Sequence, residues 1–346
     1  MTMDTGWLYF VIEKSLLVLV VFGITLLVGM YATLAERKLA AFFQDRIGPN
    51  RAGPFGMLQP LADGIKFFFK EEFIPAHASK FLFVLAPCIA MFAASMTGAV
   101  IPWGDSLMLF GHEVVLQITD LDIGVLYIFA VVSMGVYGVM IGGWSSNNKY
   151  SLLSAIRASS QMISYELAMG LALIALTMVT GSLSLKNIVA QQHGFQWHIF
   201  LQPLGFLIFI ICSFAETNRT PFDLAECEAE LIGGFHTEYS SMKLGFFLFA
   251  EYINMFIASA VMATLYFGGY HFPFIDTLGL SHNLQTLLGV GVLFAKIFGL
   301  MFLFIWVRWT FPRFRYDQLM RLGWMVLVPL AIFNVFVTGF VILWLQ

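Results

Sequence analysis

Charge is what this sequence has least of. Lys, Arg, Asp and Glu make up 11% of the 346 residues, against about 25% in an ordinary soluble domain. Eighteen basic and 21 acidic side chains cannot cover a water-facing surface for a chain of this length, so a soluble fold is excluded. Cysteine is scarcer still. Cys88, Cys212 and Cys227 stand far apart with no C-x-x-C pair, which removes both a disulfide scaffold and an iron–sulfur centre held by this chain. A basic excess is missing too: the net charge is −3, which excludes nucleic acid as a partner. There is no Walker A run, no G-x-G-x-x-G after a strand and no G-x-S-x-G elbow. The seven histidines fall in loops or near the ends of apolar runs, where they cannot form the stacked pairs that haem b needs. By itself the chain is not equipped for redox chemistry, and electrons must come from a partner. Met1 to Trp7 carries no basic region and no cleavage pattern, so the first apolar run is expected to remain as a membrane span.

What is abundant is apolar side chain: 59% of residues, with 37 Phe and 18 Met. A bilayer core takes about 20 apolar residues per helix. Eight runs meet that length, near 8–35, 81–104, 123–143, 158–183, 198–215, 244–267, 284–307 and 322–345. The expected fold is therefore all-α, a polytopic membrane protein forming one membrane domain over 1–346, with no repeat and no linker dividing it. An even number of spans leaves both termini on one side. The connections after the odd spans hold all but three of the 18 basic residues; the exceptions are Lys14, Lys186 and Lys296. By the positive-inside rule that face is cytoplasmic and both termini lie outside. The connections on the basic face after spans one and five are also the long ones, rich in charge, Gly and Pro, and function is expected there.

After the first span comes Glu36-Arg37-Lys38, then the turn-forming run Asp45 to Pro54. Pro60 opens an amphipathic helix with Asp63, Lys66 and Lys70 on one side and Leu61, Ile65, Phe68 and Phe69 on the other. Such a helix lies in the membrane interface, either as a plain anchor or as the gate of a portal for an amphiphilic lipid. A second cluster, Glu216, Asp223, Glu226, Glu228, Glu230 and Glu238, encloses the one base Arg219. Read alone it is either a solvated acidic loop or a proton relay, because acids crowded near a low-dielectric wall cannot all ionise. Acids inside spans tilt the balance. Glu166 and Glu251 are expected roughly 10 Å deep at 1.5 Å per residue, with Lys296 at a related depth and within reach of a carboxylate if the helices are adjacent. Arg308, Arg313, Arg315, Asp317 and Arg321 follow span seven, where topology alone explains at least two of the arginines.

The runs Ala35 to Lys38, DRIGPNRAGP from Asp45, and Gly56 to Asp63 with Lys66 resemble the H subunit of proton-pumping NADH:quinone oxidoreductase, respiratory complex I. So do Glu216 to Leu224 with the alternating Glu226, Glu228 and Glu230, and Gly234 to Ser240 continuing to Glu251-Tyr252. The likeness covers nearly the whole chain. It implies a membrane subunit without a redox cofactor of its own, seated between the membrane and peripheral arms, with flavin (FMN) and iron–sulfur clusters in partner subunits and quinone as substrate. The positions matching the quinone chamber and portal are Glu36, Arg37, Arg46, Asp63, Lys66, Phe235 and Arg308. Those matching the proton path are Glu166, Glu216, Asp223, Glu226, Glu228, Glu230, Glu238 and Glu251, with Arg219 as the interspersed base. Ala225 stands where the family carries proline, and Cys227 fills the next gap. The resemblance implies a bacterial inner membrane as the site. Two other readings are a docking module for the peripheral arm and a relative in a hydrogenase-type or ferredoxin-driven complex.

Overall fold

The computed structural model describes residues 2–109, 112–224, 232–273 and 279–345. Glu226, Glu228 and Glu230, with Ala225 and Cys227, lie outside the described residues.

Long unbroken apolar runs leave the backbone no hydrogen-bond partner in lipid except itself, and helices result. The helices are α1 (Thr2–Phe43), α2 (Gln59–Phe69), α3 (Lys80–Met96), α4 (Gly124–Ser145), α5 (Lys149–Thr180), α6 (Leu185–Ala190), α7 (His198–Leu201), α8 (Pro203–Glu216), α9 (Ser241–Tyr266), α10 (His282–Thr310), α11 (Tyr316–Arg321) and α12 (Val328–Leu345). Among the described residues seven are long and apolar enough to cross a membrane, and α8 is a shorter apolar one. The chain is an all-α polytopic membrane protein.

Four departures from the expected spans have local causes. Span two stops at Met96, followed by a 3-10 turn, because Val100 to Gly104 leads into a hairpin, β1 (Ser106–Leu109) with β2 (His112–Val115). Asn283 at the start of α10 grips that hairpin, accepting from Met108 N and donating to Met108 O, both at 2.9 Å. Span four starts at Lys149, because Asn148 caps it by accepting from Tyr150 N at 3.0 Å. Span five is broken at Gln202-Pro203, since proline has no N–H to give. Side chains brace the break: Gln202 Nε2 donates to Thr338 Oγ1 (2.8 Å) and Asn334 Nδ2 donates to Gln202 Oε1 (3.1 Å). Span eight is reached through α11 and a π-helical stretch, Leu322–Leu327.

In the interior α5 packs on α4, α8 and α12, while α9 packs on α1, α3 and α10. Helices in lipid approach closely where side chains are small. Gly138 of α4 is such a point, since a Cβ there would lie 3.0 Å from Ala90 N and 3.1 Å from Ala86 O of α3. The space between α3, α4, α5, α8 and α9 is not filled, and Glu216 and Glu251 line it.

Candidate functional site

Glu36 ends the apolar part of α1 on the basic face and is buried. Its two oxygens take separate arginines: Arg219 Nη1 reaches Oε2 at 3.0 Å and Arg308 Nη1 reaches Oε1 at 2.6 Å. Arg219 comes from the connection after α8 and Arg308 from the last turn of α10, so one carboxylate joins three parts of the chain. A buried charge is tolerable only when paired and hydrogen-bonded. Arg219, 3% exposed, has Glu36 on one side and the Tyr252 ring 4.2 Å from its guanidinium carbon on the other. Burial works against its charge; the Glu36 carboxylate, with Tyr252 and Glu251, outweighs this and holds the pKa above the ordinary arginine value. Its Nε and Nη2 have no hydrogen-bond partner among the described residues.

A second group lies on the interfacial helix. Arg37 Nη1 meets Asp63 Oδ2 at 2.7 Å, and Gln59 Nε2 donates to Asp63 Oδ1 at 3.1 Å. Lys66 is exposed on the same helix, while Arg46 turns back to Gln44 Oε1 (2.7 Å), away from this group. The helix is fastened to the start of α9: Ser241 Oγ donates to Phe67 O (3.0 Å), Phe73 N donates to Ser240 Oγ (3.2 Å), and Lys243 Nζ pairs with Glu72 Oε1 (2.5 Å). Just before α9, Tyr239 stacks on Phe83 with centroids 4.0 Å apart. Burial pushes the Tyr239 phenol up to about 12, against the smaller opposite pull of Ser145 and Ser146.

The third group lines the unfilled interior space, about 980 Å³ counting its open mouth. Glu216 and Glu251 are in its wall with Ser213, Thr217, Asn218 and Asn254, and most of the remaining lining is apolar. Phe235, placed with the chamber by resemblance, lines this cavity and meets Phe247 edge-on at 5.3 Å. Glu166 contacts the Ser133 hydroxyl of α4 and lies within electrostatic reach of Glu216. Gln161 secures the connection after α8, donating to Ala215 O (2.8 Å) and Phe222 O (3.0 Å).

The other expected positions scatter around this centre. Asp223 is buried and pairs with Arg313 at 3.2 Å. Glu238 accepts from Asn148 Nδ2 at 2.6 Å and does not line the cavity. Lys296 is a correction. Its ammonium donates to Phe267 O, Gly269 O and His271 O, each at 2.7 Å, and so caps the far end of α9 rather than meeting a carboxylate. Glu251 is ten residues into α9 and Ser133, the contact of Glu166, is twelve from the basic end of α4, roughly 15 to 18 Å along the helix axes. Sequence reasoning did not assign Tyr252, Ser133 or Asn254 to the site; Tyr252 and Asn254 follow Glu251 in α9 and Ser133 is a polar side chain inside α4, which was the available signal.

The family model described as NADH dehydrogenase matches residues 15–339. The chain belongs to the NADH dehydrogenase family. Within it, the chain is 67% identical over 334 residues to an NADH-quinone oxidoreductase H subunit of Cytophaga hutchinsonii, covering 96% of this chain and 98% of that protein. It is 64% identical over 338 residues to the NADH-quinone oxidoreductase H subunit of Flavobacterium psychrophilum, again 96% and 98%. A more distant NADH-quinone oxidoreductase H subunit, from Geobacter sulfurreducens, is 51% identical over 336 residues, 94% of this chain and 93% of that protein. Family membership and the spans together make this a membrane protein of the NADH dehydrogenase family, and the matched region includes every charged group of the three site clusters.

Proposed function

We propose that this chain is the H subunit of a proton-translocating NADH:quinone oxidoreductase in a bacterial inner membrane, with both termini outside. It is not catalytic alone. Its three scattered cysteines are too few for a four-cysteine cluster, in keeping with FMN and iron–sulfur clusters carried by partner subunits. In this reading quinone enters past α2, between Asp63 and the lipid, and its head group is reduced beside the basic end of the bundle.

The observation behind this reading is Glu36 held between Arg219 and Arg308. Electrons arriving on a quinone build negative charge on its oxygens. That charge competes with Glu36 for Arg308 and for Arg219, whose Nε and Nη2 have no hydrogen-bond partner among the described residues. Glu36, less neutralised, gains proton affinity, and Arg219 is drawn away from Glu251. Glu216, Glu251 and Glu166 around the cavity then change their hold on protons, and Glu226, Glu228 and Glu230 complete the path toward the chamber.

The test is Glu36→Gln in the assembled complex. Quinone-linked turnover should fall at least about tenfold, corresponding to about 1.4 kcal/mol of lost differential stabilisation, while NADH oxidation by a water-soluble acceptor that bypasses quinone is kept. Loss of assembly with normal turnover in whatever complex remains would instead make the triad a docking element.

A further inference from the structure

On the outer surface of the α4–α5 hairpin a groove is walled by Tyr137, Met140, Ile141 and Trp144 of α4 and Leu152 and Ile156 of α5. It holds about 820 Å³ of empty space counting its open side. Residues 137, 140, 141 and 144 fall on one face of α4, and 152 and 156 on one face of α5, so the groove follows α4 for roughly 10 Å and α5 for roughly 6 Å. At its basic-face end stands Lys149, the first residue of α5, three and seven residues before Leu152 and Ile156 and therefore on their face. Lys149 is exposed, and it has no carboxylate or hydrogen-bond partner among the described residues. The Glu238 carboxylate nearby is taken by Asn148 Nδ2 at 2.6 Å, and the Ser145 and Ser146 hydroxyls donate to Gly142 O.

We propose that this groove seats an anionic phospholipid, with one acyl chain along Tyr137, Met140, Leu152 and Ile156 and the headgroup phosphate on Lys149. The charge points to the ligand: an exposed cation with no carboxylate partner among the described residues stands at the end of an apolar groove, and the leaflet at the basic face is the one that supplies anionic headgroups. The walls point the same way. Transmembrane helices pack on one another through small residues, whereas this surface offers two aromatic rings, a methionine and branched aliphatic chains, which fit a flexible hydrocarbon. Trp144, 65% exposed, and Tyr150, also exposed, stand at the adjoining ends of α4 and α5, and amphipathic rings at span ends favour the membrane interface. Nothing in this assignment depends on how quinone is bound.

Protein purified from native membranes with its associated subunits is mixed with phosphatidylglycerol or phosphatidylcholine bearing a photoreactive group midway along one acyl chain, then illuminated. The measured quantity is label on peptides covering 137–156. Phosphatidylglycerol should label them roughly fivefold more than phosphatidylcholine, as one interfacial lysine allows. In Lys149→Gln that excess should disappear, and Ile156→Trp, which fills the groove, should lower both signals. Equal labelling of wild type by the two lipids would mean an unselective lipid shell, and no labelling would mean that another subunit covers the groove; either overturns the proposal. The wild-type comparison decides even where Lys149→Gln does not assemble.

Discussion

Glu36 and Arg219 are 183 residues apart in sequence and 3.0 Å apart in the fold. That bond ties the end of the first span to the acidic connection after α8. It makes one unit of two long loops that the sequence shows only as separate clusters. With Arg308 on the other oxygen, the carboxylate is shared between two cations of different provenance. Disturbing either one is therefore felt by the other.

Replacing Arg219 separates charge from geometry. Arg219→Lys keeps a cation but loses the planar fork, whereas Arg219→Gln leaves Glu36 with Arg308 alone. A hydrogen bond to a charged group is worth about 1.5–3 kcal/mol. Arg219→Gln should therefore lower quinone-linked turnover about tenfold or more, with Arg219→Lys intermediate. Steady-state rates on complexes of matched subunit content check this, and equal rates for both variants would contradict it.

The Arg37–Asp63 pair is half-exposed, and such a bridge contributes at most about 1 kcal/mol to stability. Asp63→Asn should leave assembly unchanged. If α2 borders the quinone portal, KM for a long-tailed quinone should rise several-fold and KM for a short-tailed, water-soluble analogue much less. A loss of assembly with unchanged KM would favour docking over a portal.

Lys243 links α2 to α9 through Glu72 and covers the Phe83 ring at 5.6 Å. Lys243→Gln should loosen the fastening of α2. Faster amide exchange over 66–73, with the α9 interior still protected, is the expected signature. Unchanged exchange there would show that the two serine contacts suffice.

Tyr239 gives a pH dependence. In an unfolded chain its phenol ionises near 10, and burial moves that to about 12 in the folded protein. Below pH 10 both states keep the proton, and the contribution is full. Between pH 10 and 12 the unfolded chain releases it first, so stability falls as pH rises. Tyr239→Phe should flatten this alkaline loss, measured as thermal aggregation temperature against pH relative to wild type. The same slope in both proteins would remove Tyr239 as its source.

Much of the fold was legible because lipid imposes one rule: apolar runs of sufficient length must be helical. The long apolar helices, the amphipathic α2 and the basic face all follow from composition and spacing. The hairpin at 106–115 was hidden because four-residue strands carry too little alternation to stand out. The break at Gln202-Pro203 is visible in sequence only to a reader who weighs proline above hydropathy. In the site, each charged residue could be named but not its partner. Lys296 shows why: a lysine in a span must be paired, yet sequence does not distinguish a carboxylate from three carbonyls at a neighbouring helix end. Phe235 likewise has the chemistry for a chamber wall, and only packing places it on the cavity of Glu216 and Glu251.

The central claim is that the cavity acids change protonation when quinone is reduced. Infrared difference spectra of the intact complex, recorded between oxidised and reduced quinone, measure this in the carboxyl C=O region. Bands are expected there that lose intensity in Glu216→Gln and in Glu251→Gln, and that change in Arg219→Gln although no carboxyl has been removed. A spectrum with no carboxyl band on quinone reduction, or one identical in all three variants, would contradict it.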